Sequence, residues 1–394
     1  MTDNGISKQK GHFPTINSEE LLQVAKMKSI RKLKCGFSSS HNIETLAQLM
    51  ELQELTITTH KSRSLEGLFK KFSSRTSSAL QYLAIRNNEI TIDELKAIAG
   101  IKSLKRLKCA FTNPKDDVVL PEMLNLEELC IIAHRSGKLS KKLRLFSKCS
   151  LNKIIIMGDS LDVQDVAALS EFESLKILHI HILQLDCINL LLPIKNLAEI
   201  KIDLKCHGCD IKSPIRLSEN LGKLYKLALK LVIINNEDFS NCLQLPALKS
   251  LECRPALTFN TNFEGLAQLE ELIIASLEFP NDSIYILLQA LVEKTPKNLK
   301  RFVIKNENLD MESSLLLSQI DSITTLECGF ESHQSIHLLK KLINLQSLKI
   351  TSKHSYIATW DAFFTLVKNC PKLESLYLQE FEEFNWKPMI YSTL

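Results

Sequence analysis

The sequence is poor in residues that break secondary structure and in residues that stack on nucleic-acid bases. Its 394 residues include only 11 glycines and 11 prolines, and aromatic residues make up 6%. So few chain breakers favour an ordered chain. So few aromatics disfavour a surface that binds nucleic acid by stacking. With 45% hydrophobic and 24% charged residues, the chain can bury a large core, and we expect an ordered soluble protein.

Long apolar runs and secretion signals are also missing. The longest apolar run, INLLLPI from Ile188, falls far short of the roughly 20 residues that a membrane span needs. Residues 1–20 lack the apolar segment of a secretory signal. The 11 cysteines form no dense disulfide framework, which favours reduced thiols. We therefore expect a cytoplasmic protein, with the nucleus as an alternative, and no membrane contact.

Motifs that carry catalysis are absent as well. The sequence contains no P-loop, no dinucleotide-binding glycine pattern, no HExxH and no GxSxG. CHGC, at residues 206–209, has CxxC spacing, but a zinc site would need a second pair and redox chemistry a thioredoxin-like context. We therefore predict no enzymatic activity, no cofactor and no metal site.

A repeated leucine pattern fills the chain instead. The stretch LQYLAIRNNEI, at residues 80–90, has the spacing LxxLxLxxNxL. Its core, LxxLxL with Ile, Phe or Cys allowed at the apolar positions, recurs every 21 to 30 residues in a short, long, middle order. The fifteen matches begin at Ile30, Leu52, Leu80, Leu104, Leu126, Leu151, Leu175, Leu197, Leu224, Leu248, Leu269, Leu299, Ile323, Leu345 and Leu373.

A second mark supports a higher-order unit of three repeats, about 73 residues long. In every third repeat the sixth template position holds Cys35, Cys109, Cys253 or Cys328, and Ile180 takes this place in the middle unit. The chain therefore contains five units of three repeats.

Each repeat has the parts of one strand and one crossover. Positions one, four and six are apolar and those between them are polar or variable, which is typical of a short parallel strand with one buried face. Amphipathic segments near Asp282 and Ala358 predict helices. Such units stack as a solenoid. In the middle-length repeats an N-cap residue stands three positions before an acid: Asn17 and Glu20, Thr91 and Glu94, Asp162 and Asp165.

The fifteen segments resemble the leucine-rich-repeat superfamily and cover about nine tenths of the chain. Their lengths are similar to the intracellular type, found in ribonuclease-inhibitor-like proteins and in the repeats of F-box proteins. The resemblance implies a curved α/β solenoid, with parallel strands on its concave face and helices and loops on its convex face. We predict the solenoid over residues 17–383, a short polar tail at 1–16 and a C-terminal tail at 384–394.

The sequence departs from this superfamily at the ninth position of the repeat. Most members carry Asn or Cys there in nearly every repeat. Here Asn88 and Asp159 occupy it in two repeats, whereas Ser38, His60 and Thr112 occupy it in others. We therefore expect an irregular solenoid without a continuous asparagine ladder.

For function, the resemblance implies a scaffold that binds a protein partner on the concave face. One alternative is the substrate-recognition component of a ubiquitin ligase. F-box proteins carry a helical docking module ahead of their repeats, and a first repeat that begins near Asn17 leaves no room for it. The other alternative is an enzyme inhibitor of ribonuclease-inhibitor type. The sequence predicts neither the partner's identity nor an oligomeric state.

Charges on the exposed strand positions should alternate. Neighbouring parallel strands lie about 4.8 Å apart, so acids and bases at position three can pair sideways, each exposed pair contributing roughly 0 to 1 kcal/mol. Position three holds, in order, Lys32, Glu54, Tyr82, Arg106, Glu128, Lys153, Ile177, Glu199, Lys226, Ser250, Glu271, Arg301, Thr325, Ser347 and Ser375.

The amino-terminal third is basic. Residues 1–150 contain 25 Lys and Arg against 15 Asp and Glu, and the remainder contains 24 against 30. This asymmetry favours an acidic protein partner, steered by charge, over nucleic acid, which would need one continuous basic face with aromatics. The candidate basic residues are Arg31, Lys32 and Lys34 on the first strand and Lys105, Arg106 and Lys108 on the fourth.

One group of exposed strand positions is apolar instead of charged. An apolar patch on a charged surface is the usual mark of an interaction site; a slip of register or packing among neighbouring side chains is the alternative. The two histidines lack a third ligand and predict a surface pair, not a metal site. On strands five to seven the candidate residues are Cys130, Ile132, Ile155, Met157, Ile177, His179 and His181.

Overall fold

The computed structural model describes residues 15–38, 41–60, 65–75, 78–114, 118–132, 139–204, 216–217, 220–275, 283–294, 297–352, 360–380 and 391–392. It divides into two compact units, Met1–Leu175 and Lys176–Leu394. Each unit is built from strands that follow one another in the sheet in chain order.

In the first unit every strand from β2 to β7 begins at the third position of the LxxLxL template. Cα pairing is parallel, and it aligns Lys32, Glu54, Tyr82, Arg106, Glu128 and Lys153 across the sheet. The strands are β1 (Thr15–Ile16), β2 (Lys32–Phe37), β3 (Glu54–His60), β4 (Tyr82–Ile90), β5 (Arg106–Phe111), β6 (Glu128–Ile132) and β7 (Lys153–Met157).

The second unit repeats this arrangement. Its strands pair in parallel from β8 to β16, and the third template position again aligns from Ile177 to Ser375. The short β17 pairs with β16 in the antiparallel sense. The strands are β8 (Ile177–Ile182), β9 (Glu199–Leu204), β10 (Lys226–Ile234), β11 (Ser250–Pro255), β12 (Glu271–Ala275), β13 (Arg301–Leu309), β14 (Thr325–Phe330), β15 (Ser347–Ser352), β16 (Ser375–Glu380) and β17 (Tyr391–Ser392).

Helices form the middle-length crossovers after β4, β7, β10 and β13 and the long crossovers after β3, β6, β12 and β15, as predicted, and most of the long crossover after β9 lies outside the described residues. Several short repeats instead cross over through 3-10 helices, such as Ile43–Gln48 and Leu185–Leu191. The α-helices are α1 (Ser18–Lys26), α2 (Glu66–Ser73), α3 (Ile92–Ala99), α4 (Leu139–Arg144), α5 (Val163–Leu169), α6 (Asn236–Leu243), α7 (Ser283–Lys294), α8 (Met311–Leu317), α9 (His333–Leu338) and α10 (Trp360–Asn369).

The predicted helix starts are confirmed. Asn17 and Thr91 cap α1 and α3, and each forms a capping box with the glutamate three residues later. The Asp162 side chain accepts a hydrogen bond from the backbone N–H of Asp165 at the start of α5. Each cap gives an acceptor to a helix N–H that has no partner within its own helix.

The core follows the template. Positions one, four and six are buried from the second repeat to the fourteenth. The cysteines at position six are buried too, so they act as small apolar side chains. Burial raises the pKa of the Cys35 and Cys109 thiols to about 12, and it raises those of Cys253 and Cys328 well above their ordinary value.

The third strand of a three-repeat unit carries an irregularity. In β4 the pairing with β5 shifts between Ala84 and Glu89, and β13 shifts in the same way against β14. Asn87 and Asn306, at equivalent positions, have positive φ angles of 63° and 62°, which asparagine tolerates better than most residues. The Asn88 side chain donates to the His60 carbonyl at 3.5 Å, so it forms a local rung between two strands.

Fifteen strands for fifteen templates, the parallel register and the three buried positions define an α/β leucine-rich-repeat solenoid fold, as predicted. The bounds 17–383 remain a prediction. Two of the residues assigned to the amino-terminal tail, Thr15 and Ile16, pair with Gly36 and Phe37 of β2.

Buried acids connect one crossover to the next, and one of them yields a test. The Asp165 carboxylate is 2% exposed and accepts from the Ser140 N–H at 2.6 Å. Burial raises the pKa of Asp165, and the bond from Ser140 opposes that rise. The folded state therefore holds this proton more tightly than the unfolded state does, so the charged form costs stability at pH 7 and the cost disappears as the pH falls through the raised pKa.

We expect Asp165→Asn, which keeps an acceptor and removes the charge, to leave the free energy of unfolding at pH 7 unchanged or slightly higher. Asp165→Ala leaves the Ser140 N–H without its acceptor, so this variant should lower the free energy of unfolding by about 1 to 3 kcal/mol. Urea unfolding at pH 7 measures both variants. Equal losses in the two variants would contradict this account of the site.

Candidate protein-binding surface

The exposed strand positions three, five and seven of each unit define its strand face, opposite the side where positions four and six are buried. Charges on this face pair sideways as predicted. Lys32 lies 3.2 Å from Glu54, Lys153 lies 3.7 Å from Glu128, and Arg301 lies 3.0 Å from Glu271. Each of these pairs joins position three of adjacent strands.

One pair in the first unit spans two strands. The Arg106 guanidinium reaches over the Tyr82 ring, 4.8 Å from its centroid, to a Glu54 oxygen at 3.3 Å. Burial raises the pKa of Tyr82, against the opposing charges of Arg86 and Arg106. The middle of this strand face is therefore a cation–aromatic stack.

Four of the six predicted basic residues contact an acid. Arg31 pairs with Glu51 at 3.3 Å and Lys105 with Glu127 at 3.2 Å. Lys32 and Arg106 share Glu54. Lys34 is exposed at position five of β2. These residues remain a predicted binding surface.

Lys108 differs from its neighbours. In the part of the chain that the structure describes, it contacts no carboxylate, and its Nζ lies 3.5 Å from Sδ of Met157. The lysine side chain therefore extends from β5 across β6 to β7. An ammonium group next to a thioether is poorly compensated, so a carboxylate from a partner would be a better neighbour.

The structure brings four of the predicted apolar residues together in the first unit. Cys130 pairs with Ile155, and Ile132 with Met157, in adjacent register on β6 and β7. All four are at least partly exposed on the strand face, Met157 by 42%. Burial raises the pKa of the Cys130 thiol, although the charges of Lys108 and Lys153 oppose the rise. The template register that placed these residues on the exposed face agrees with the strand pairing.

The other three predicted residues, Ile177, His179 and His181, lie on β8 in the second unit and are half-buried. His179 Nε2 is 2.8 Å from Glu199, and His181 Nδ1 is 3.6 Å from Asp203. Each histidine thus faces one acid of β9. Their membership of a binding site remains a prediction.

Among the described residues, no three His, Cys, Asp or Glu side chains are arranged to hold a metal ion. No helix in the same ranges is long and apolar enough to cross a membrane. The CxxC pair Cys206 and Cys209 lies outside the described residues.

Sequence reasoning missed one charged centre in the second unit. Glu252, 12% exposed at its side chain, receives both Lys230 and Lys305 at the same oxygen. The residues are 22 and 53 positions from Glu252 in the chain, and the carboxyl-terminal part of the sequence is acidic overall. The only available signal was the template, which puts Glu252 at position five and both lysines at position seven, all on the exposed face.

Comparisons with known proteins find similar folds and no close relative. No protein-family model matches the sequence, and no curated protein matches it. An internalin of Listeria monocytogenes is 18% identical, with 94% of this chain and 89% of that one covered and a TM-score of 0.46. A leucine-rich-repeat protein of Leptospira interrogans is 17% identical, with 93% and 100% covered and a TM-score of 0.46.

Proposed function

We propose that the protein is a non-enzymatic scaffold that binds a protein partner on the strand face of its first unit. The observation that carries the proposal is the apolar patch, Cys130, Ile132, Ile155 and Met157, beside the uncompensated Lys108. Apolar side chains at the centre of an interface supply most of its binding energy, and surrounding charges orient the partner.

The charge of this face favours an acidic partner. On β2 to β7 six cations occupy strand-face positions, and only two carboxylates accompany them, those of Glu54 and Glu128. The excess would accelerate association with an acidic surface and weaken with rising salt. The cations are Lys32, Lys34, Arg86, Arg106, Lys108 and Lys153.

The double substitution Ile155→Asp and Met157→Asp is expected to abolish capture of the partner. Two carboxylates would replace the apolar anchors, and loss of such anchors costs about 2 kcal/mol or more each, so affinity should fall by roughly several hundredfold if the two losses add. Affinity purification with quantitative mass spectrometry measures the loss for each captured protein.

Leu124→Asp is the matched control, because Leu124 is an apolar residue of the same unit, 70% exposed, outside the patch. This variant should capture the same proteins as the unmodified chain. If the patch variant, shown to be folded by circular dichroism, still captures every partner, the patch is not the binding site.

The same purification separates the more specific roles. A co-purifying ligase scaffold would support substrate recognition for ubiquitin transfer. A stoichiometric complex with one enzyme, whose activity is lost, would support an inhibitor. Neither outcome is required for the scaffold proposal, which needs only a protein whose capture depends on the patch.

A further inference from the structure

A second charged surface lies on the strand face of the second unit, where the surrounding sequence is acidic. Positions five and seven of β9, β10, β11 and β13 carry four cations and two carboxylates, which leaves a balance of +2. The cations are Lys201, Lys230, Arg254 and Lys305, and the carboxylates are Asp203 and Glu252. We call these six residues the Glu252 cluster.

Two lysines converge on one carboxylate oxygen in this cluster. Nζ of Lys305 is 2.9 Å and Nζ of Lys230 is 3.6 Å from Oε1 of Glu252. The Glu252 side chain is 12% exposed, whereas those of Lys230 and Lys305 are 33% and 39% exposed. Glu252 thus holds two ammonium groups close together and neutralises only one of them.

An alanine makes this convergence possible. Lys305 starts on β13 and reaches back across β12 to β11, two strand spacings of about 4.8 Å each. Its Cα partner on β12 is Ala275, whose single methyl group does not block the path.

Arg254 supplies a third cation on the same strand face. It lies two residues after Glu252 on the same face of β11, it is half-buried, and in the described ranges its guanidinium contacts no carboxylate. Guanidinium groups bind phosphate through two parallel hydrogen bonds. Asp203 aligns with Lys230 but lies 3.6 Å from His181 on the opposite side.

We propose that the Glu252 cluster binds a phosphorylated side chain of a partner protein. A phosphate monoester carries a charge of about −1.5 to −2 at pH 7, which matches the balance of +2, whereas a single carboxylate leaves one charge uncompensated. Nucleic acid fits less well, because a single strand needs aromatic rings to stack its bases. On β9 to β13 no aromatic residue stands at strand positions three, five or seven.

The test measures binding of a five-residue peptide with a central phosphoserine, labelled with a fluorophore, by anisotropy at constant ionic strength. Peptides with glutamate or serine at the centre serve as comparisons. We expect the phosphoserine peptide to bind at least about tenfold more tightly than the glutamate peptide. Arg254→Gln combined with Lys305→Gln should weaken its binding by at least about tenfold.

Two further variants separate binding from folding. Lys349→Gln removes a strand-face lysine of the same unit that has its own acid, Glu327, at 2.7 Å, and it should change affinity by less than about twofold. Glu252→Gln frees both lysines while keeping the shape of the side chain, so it should tighten binding by about threefold or more. A damaged fold could not produce that gain.

The proposal is overturned if the phosphoserine peptide binds no better than the glutamate peptide, or if the double variant and Lys349→Gln behave alike. Tighter binding of a single-stranded oligonucleotide that depends on Arg254 would also overturn it, in favour of nucleic acid. The Ile155→Asp and Met157→Asp variant should bind the peptide normally, so failure of the first-unit proposal is distinguishable from failure of this one.

Discussion

Raising the pH from 8 to 10.5 is expected to destabilise the folded protein through its buried thiols. Burial raises the pKa of Cys35, Cys109 and Cys242 to about 12, and it raises those of Cys253 and Cys328 well above the ordinary value of 9.0. Above pH 9 the unfolded chain loses these protons while the folded chain keeps them. The stability that the protonated thiols contribute is therefore complete below pH 9 and is lost as the pH rises toward the folded pKa.

The expected size is about 2 kcal/mol at pH 10.5 for each of the three thiols whose pKa rises to about 12, because that pH lies about 1.5 units above the unfolded pKa and each unit is worth about 1.4 kcal/mol. Domains are typically stable by only about 5 to 15 kcal/mol. Cys35 and Cys109 lie in the first unit and Cys242 in the second, so each unit should lose a substantial part of its stability, to which Cys253 and Cys328 add in the second unit.

Cys109→Val isolates the effect, because valine fills the position without titrating and Ile180 already provides a β-branched residue at the same template position. Urea unfolding at pH 8 and pH 10.5 gives the free energy of unfolding at each pH. Between these two pH values the variant should lose about 2 kcal/mol less of this free energy than the unmodified protein does. Lysine and tyrosine titrations occur in both proteins and cancel. An identical pH dependence in both proteins would contradict the predicted cause.

Phe302→Ala is expected to cost the second unit about 3 to 5 kcal/mol. Phe302 is fully buried at template position four of β13 and aligns with Leu272 and Leu326 on the adjacent strands. Every other repeat has leucine or isoleucine at this position. Alanine would leave a cavity that parallel strands, fixed by their hydrogen bonds, can close only in part.

Phe302→Leu is the matched control and restores the residue typical of the repeat. It should cost less than about 1.5 kcal/mol, because a neighbouring repeat already packs leucine in this setting. Free energies of unfolding from urea titration give both values. A loss for leucine as large as that for alanine would mean that the aromatic ring makes a contact specific to this repeat.

Much of the fold could be predicted because every repeat has the same pattern of apolar positions. Apolar residues at positions one, four and six must be buried, so each match predicts a strand, and strands are found at all fifteen. The helix starts could also be predicted, because Asn17 and Thr91 are each followed three residues later by the glutamate that completes a capping box. The 3-10 helices at Ile43–Gln48 and Leu185–Leu191 could not be predicted, because short crossovers lack the period that indicates an amphipathic helix.

Less of the candidate surfaces could be predicted from the sequence. Alternation assigns Cys130, Ile155 and Met157 to the exposed face, and the strand pairing agrees. Which charges meet depends on side chains that extend over an intervening strand, as Lys108 does to Met157 and Lys305 does to Glu252. Such contacts require a short or flat side chain on the intervening strand. Only the three-dimensional packing shows which side chain lies there.

By itself the sequence determined the repeat period, the buried positions, the cysteine that ends the template in four of the five three-repeat units and the polar residues that start the helices. Each of these follows from neighbours along the chain, where hydrophobic periodicity and capping act. The tertiary structure alone decided the charge pairs two strands apart and the sharing of Glu252 by two lysines. Crossovers of unequal length separate these residues by up to 53 positions, so strand order and register set their distances.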